Sequence, residues 1–98
     1  MVIELVSLKV KENIKESDFL RAAEASNIFL SGCTGFVRRR LAKSEAGDWV
    51  DYVEWQSLGD ALSAAQRFSQ APETRDFNSA IEPGSVVMRH LTIRSTAN

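Results

Sequence analysis

A chain of 98 residues with 44% hydrophobic residues and a net charge of −1 suits one domain, and no apolar run in it approaches the ~20 residues of a membrane span. A balance this close to neutral gives no general attraction to nucleic-acid phosphate. One cysteine, Cys33, permits no internal disulfide, and one Cys with one His at no paired spacing makes neither a zinc nor an iron–sulfur site, so no metal or other cofactor is expected.

Residues 2–10 read as a strand, with Val6, Leu8 and Val10 on one face and Ile3 and Leu5 on the other. After a charged turn at 11–16, Ser17 can cap a helix running to about Leu30, with Phe19, Ala22, Ala23, Ser26, Phe29 and Leu30 along its stripe. Asn13 with Glu16 is an alternative cap that starts it earlier, and Ser31-Gly32 ends it. Residues 36–43 and 49–56 are rich in aromatic and β-branched residues, and 44–48 between them is a short polar loop with a Gly for positive φ. They predict a hairpin. Centring it on Ala46 sets Arg39 opposite Val53, Leu41 opposite Asp51, Val37 opposite Trp55 and Arg38 opposite Glu54; a one-residue slip would reverse the faces.

Ser57 stands where an N-cap belongs, with Asp60 three positions on. Leu58, Ala61, Leu62, Ala65 and Phe68 then follow at helical spacing, and this stripe is expected to be core. Pro72 opens a short helical piece through Phe77 and Ile81, Pro83-Gly84 breaks it, and 85–93 is the last strand. Residues 95–98 are expected to be a frayed tail, which leaves 2–94 as the core of a single domain over 1–98.

The order is strand, helix, strand, strand, helix, strand, the ferredoxin-like βαββαβ arrangement of the α+β class. Right-handed crossovers put the third strand between the first and second, giving a four-stranded antiparallel sheet with both main helices on one face. The other face is then bare, and an exposed sheet carrying Ile3, Leu5, Trp49 and Trp55 predicts a homodimer through that open face. Glu4 close behind Met1, with no basic region before a long apolar stretch, gives no secretory signal; the expected location is cytoplasmic.

The run Gly35-Phe36 opening a strand, then Trp49-Val50-Asp51 and Glu54-Trp55-Gln56-Ser57-Leu58 leading into an Ala-rich helix, resembles the antibiotic-biosynthesis-monooxygenase-like group of dimeric α/β-barrel proteins, over about residues 2–94. The resemblance implies two open sheets facing each other to close a barrel in a homodimer. It also implies a space between sheet and helices able to hold an aromatic substrate. Some members oxidise aromatic polyketides with molecular oxygen and neither metal nor flavin, others degrade haem, and many have no established activity. Haem degraders use an Asn on the first strand, a Trp and a helical His. Here the first strand offers Glu4 and Ser7, His90 falls on the last strand, and the helix position carries Ala65 or Gln66. Haem degradation is disfavoured. The aromatic oxidisers' Asn, Trp and Arg set does not transfer intact either.

The residues themselves suggest a small-ligand pocket. On the preferred register Trp49, Asp51 and Trp55 share one face with Arg39 from the neighbouring strand: aromatic walls, one carboxylate and one cation. Trp49, Trp55 and Arg39 are the candidate substrate contacts, and Asp51 and His90 the candidate catalytic groups, since an imidazole suits proton transfer at neutral pH. Interface packing of the two tryptophans and an ordinary cross-strand ion pair explain the same residues without chemistry. Cys33 sits next to Gly32 in a turn with no identifiable Cys-His-Asp pattern around it, and a reactive thiol needs a basic partner or helix terminus, so a passive role is expected.

Arg38-Arg39-Arg40 alternate between faces, and residues 2–10 carry no aromatic, so an RNA-recognition module is not expected. A regulatory amino-acid-binding module of this topology would need a partner domain. Two readings from different classes follow. One is a cofactor-independent monooxygenase acting on a hydrophobic aromatic substrate. The other is a non-catalytic ligand-binding or stress-related dimer, which a cavity filled by Trp49, Trp55 and Met88 would favour.

Overall fold

Alternating burial along Val2–Leu8 makes this first strand, β1, the centre of the molecule: it is paired antiparallel on both sides. The computed structural model describes residues 1–98. After β1 come α1 (Glu16–Ser31), β2 (Phe36–Lys43), β3 (Trp49–Trp55) and α2 (Leu58–Phe68). A 3₁₀ turn at Pro72–Thr74 then runs into α3 (Arg75–Ser79), and β4 (Val87–Thr92) closes the sheet. The strand order is β2-β3-β1-β4, all antiparallel, so the expected α+β ferredoxin-like βαββαβ topology is the one found. No helix is long and apolar enough to cross a membrane.

The hairpin of β2 and β3 has the predicted register from Lys43↔Trp49 to Arg38↔Glu54. Its loop closes with Ser44 N–H donating to the Asp48 carbonyl at 2.8 Å and Gly47 at φ 97°. Beyond Arg38 the register shifts through a β-bulge, so Phe36 and not Val37 lies opposite Trp55. The bulge feeds into Gly35, whose φ of 81° suits glycine; a Cβ there would lie 2.1 Å from Asp60 Oδ2.

Both helix starts follow from local chemistry, one as predicted and one not. Ser57 Oγ accepts the Asp60 N–H at 3.1 Å and caps α2. At α1 neither Ser17 nor Asn13 caps: Lys15 is the N-cap residue and its carbonyl accepts from Asp18 and Phe19. Glu16 and Asp18 supply the negative charge that the first turn favours, which makes a capping side chain dispensable.

The core lies between the sheet and the helices as two clusters. Phe19 of α1 meets the Trp49 ring edge-on at 5.0 Å and stacks on Phe77 at 4.9 Å, joined by Leu8, Ala23 and Ala80. Trp55 and Val53 are covered by Leu30, Cys33, Ala61 and Ala64. The α2 stripe is therefore rotated from the expected one. Ala61 and Ala64 face the sheet, whereas Leu58 and Leu62 are 46% and 47% exposed. Small residues let the helix sit close over the bulky Trp55, a fit that leucine at those positions would prevent.

Candidate functional site

The two tryptophans are not on the open face, as was expected, but under the helices. The β1–β3 register sets odd residues of β3 against even residues of β1, with Val2↔Trp55 and Leu8↔Trp49. Ile3 and Leu5 share their face with Val50, Tyr52 and Glu54 instead. The helix side thus receives Val2, Glu4, Val6 and Leu8 together with Trp49, Asp51, Val53 and Trp55.

Between that side and α2 and α3 lies a cavity of about 160 Å³. Val6, Phe68, Phe77 and Met88 supply apolar wall, and Glu4 and Asp51 bring carboxylates to it. Ala64 and Ala65 leave it room, and Trp55 forms another wall. Val86 and Met88 stand at the β4 side, where Met88 is partly exposed.

Glu4 is the only charged side chain of β1 and is 8% exposed. Burial pushes its carboxyl above the ordinary 4.5; hydrogen bonding and charge from His90 oppose the rise, and Asp51 adds to it. His90 stands directly across the β1–β4 ladder, with Nε2 3.1 Å from Glu4 Oε2, and remains partly exposed. The Trp55 indole N–H is buried, and hydrogen bonding from it to Glu4 slightly opposes the rise, although the contact falls outside regular hydrogen-bond geometry.

Arg39 and Asp51 are brought together on the helix side. Arg39 Nε donates to Asp51 Oδ1 at 2.8 Å and Nη2 to Oδ2 at 2.9 Å. Nη1 reaches Ser26 Oγ at 2.6 Å, Asn27 Oδ1 at 3.1 Å and the Ala23 carbonyl at 3.3 Å, and the guanidinium lies 4.6 Å from the Phe77 ring centroid. Its donors are engaged inside the protein. Arg38, of opposite parity, pairs with Glu54 on the open face at 3.2 Å.

Several solved structures fit this chain almost end to end. SnoaB of Streptomyces nogalater, a cofactor-independent oxygenase, is 16% identical, with 97% of this chain and 94% of that one covered at a TM-score of 0.78. ActVA-Orf6 of Streptomyces coelicolor, a monooxygenase solved with Nanaomycin D, is also 16% identical, covering 99% and 90% at 0.71. The Arabidopsis thaliana protein At3g17210 is 7% identical over the full length of both chains at 0.74. The chain has the fold of the antibiotic-biosynthesis-monooxygenase-type proteins. No protein-family model and no curated protein matches the sequence.

Within this fold the predicted site residues separate. Asp51 and Trp55 line the cavity, and His90 reaches it through Glu4. Arg39 acts on the cavity through Asp51, and Trp49 lies apart from it, in the cluster with Phe19. Cys33 is buried with its Sγ donating to the Phe29 carbonyl at 3.4 Å, and, against the expectation that it lacks a basic partner, Arg67 Nη2 lies 3.7 Å from the sulfur. Glu4 was not among the predicted site residues. Its signal is in the sequence nonetheless: one carboxylate at the same parity as Val2, Val6 and Leu8, on a face where a charge is costly unless used or paired.

Proposed function

We propose that the protein is a homodimeric, cofactor-independent monooxygenase acting on a hydrophobic aromatic substrate. The observation that carries this reading is an apolar cavity with a buried, protonation-poised carboxylate in its wall, reached from solvent through His90. A ring carbon would lose hydrogen and gain a carbonyl oxygen while the second oxygen atom leaves as water, all four electrons coming from the substrate. The protein's part is to orient the ring, take a proton and stabilise the anion that reduces oxygen. His90 exchanges protons with solvent at the cavity edge, Asp51 fixes the local field, Arg39 holds Asp51, and Trp55 with the apolar wall positions the ring. Trp49 supports that wall from the core.

The dimer would form through the open sheet face, where Ile3, Leu5, Val50, Val87 and Leu91 present apolar surface that no helix covers. A ligand-binding or stress-related dimer without catalysis is the second reading. It is favoured by the closed Arg39–Asp51 pair, which accounts for Asp51 structurally. Oxygen uptake with quinol and polyphenol probes decides between them. The oxygenase reading expects uptake by the wild type, and retained binding with lost turnover in His90→Ala and Asp51→Asn. Binding without oxygen uptake gives the protein to the second reading.

A further inference from the structure

One row across the open face of the sheet has a polarity that neither the fold nor the cavity explains. Ladder pairing sets Arg40 against Tyr52, Tyr52 against Leu5 and Leu5 against Arg89, so from β2 to β4 the row reads cation, aromatic ring, aliphatic chain, cation. Arg38 stands in the next row and is neutralised by Glu54 at 3.2 Å. Arg40 and Arg89 are exposed, and neither side chain makes an ion pair. The chain as a whole carries a charge of −1, yet this face holds three arginines against a single glutamate. Arg40 acts on the Tyr52 ring beside it: burial and Glu54 push that hydroxyl above the ordinary 10.0, and Arg38 and Arg40 oppose the rise.

A guanidinium presents a planar fork of donors that matches a carboxylate with two parallel bonds, and two forks without partners select a molecule with a carboxylate at each end. Three strand spacings, about 14 Å, separate the backbones that carry them. A short extended hydrocarbon link crosses that gap and covers Tyr52 and Leu5, apolar surface that no helix shields. Ser95, Thr96 and Asn98 border the groove over Tyr52 with hydroxyls and an amide, further donors for an oxyanion. We propose that the open face binds an α,ω-dicarboxylate with an apolar link, one head on Arg40, the other on Arg89 and the link across Tyr52 and Leu5. The site is separate from the cavity and independent of the chemistry proposed there. It bears on the dimer: two such faces closing on each other bring unpartnered guanidiniums from both copies together, a like-charge contact that opposes association until a dianion enters.

Calorimetric titration with adipate, malonate and hexanoate at fixed ionic strength tests the site, and sedimentation of the same samples tests its link to the dimer. Adipate should bind about tenfold more tightly than hexanoate, which has one head, and than malonate, which lacks the span. Arg40→Gln and Arg89→Gln, exposed substitutions that leave the core untouched, should each bring adipate down to the affinity of hexanoate. Adipate should also tighten the wild-type dimer about tenfold in chloride buffer, whereas the double variant should dimerise more tightly than the wild type and ignore adipate. Malonate or hexanoate bound as tightly as adipate, or adipate binding unaltered in either variant, overturns the proposal. A dimer indifferent to both adipate and the double variant overturns it too and leaves the dimer standing; a monomer throughout that binds adipate in the stated pattern upholds the site and removes the dimer.

Discussion

Arg39 and Asp51, twelve positions apart on a hairpin, form a two-armed ion pair with side chains only 5% and 10% exposed. Its fork geometry and the added contacts to Ser26 and Asn27 offset the desolvation of both charges. Removing one partner leaves the other buried and alone. Asp51→Ala should therefore lower unfolding free energy in urea by about 3–5 kcal/mol, and Arg39→Lys should not preserve the wild-type value, because an ammonium cannot make both bonds.

Phe68 joins the two core clusters, with its ring edge-on to Phe29 at 5.7 Å and to Phe77 at 6.0 Å. Phe68→Ala is expected to cost about 3 kcal/mol, whereas Leu62→Ala, half exposed on the same helix, should cost under about 1 kcal/mol. Equilibrium denaturation of the two variants side by side checks the phase of α2. A larger loss for Leu62 would mean that leucine is covered in solution.

Light scattering after size exclusion should give twice the chain mass at micromolar concentration. Val87 is 59% exposed on the open face, so Val87→Lys should do little to the isolated subunit while it weakens the dimer. A wild-type monomer would remove the dimer.

The pH dependence of stability reports on Glu4. Burial raises its folded-state affinity for the proton above the ordinary value of 4.5, His90 opposing and Asp51 assisting. The folded state then binds more protons than the unfolded chain, so this group's contribution is most favourable below pH 4.5 and is lost as pH rises through the raised value. Unfolding free energies of wild type and Glu4→Gln, compared from about pH 4 to about pH 7, should diverge in favour of the variant as pH rises. Parallel curves would show that Glu4 titrates normally.

The hairpin, the Ser57 cap and the strand order were legible because each rests on local chemistry, and the pairing of Arg39 with the Asp51 face followed from the loop centre alone. Which face of the sheet the helices cover was not. The odd residues of β3 mix two tryptophans and a valine with a charged Asp51, and β1 is apolar on both parities, so only the β1–β3 register assigns Trp49 and Trp55 to the interior. The α2 phase failed for a related reason: leucines outweigh alanines by hydrophobicity, but the space above Trp55 admits only alanine. Glu4 was visible as an exception within an apolar strand, yet its partner His90 lies 86 positions away and could be placed only through the ladder.

Phe36 and Arg39 differ in parity, yet both point inward, Phe36 against Trp55 at 5.7 Å and Arg39 onto Asp51. Only the extra residue between Phe36 and Arg38 makes this possible. Strand β2 is in effect written in two reading frames that meet at Val37, and flattening the bulge without removing that valine would turn either Phe36 or Arg39 to the open face, whereas deleting the valine would restore regular alternation with both still inward. The length of this strand is thus matched to its bulge, and homologous chains that keep its length but pair it without a bulge should be found to have surrendered either the aromatic contact or the ion pair.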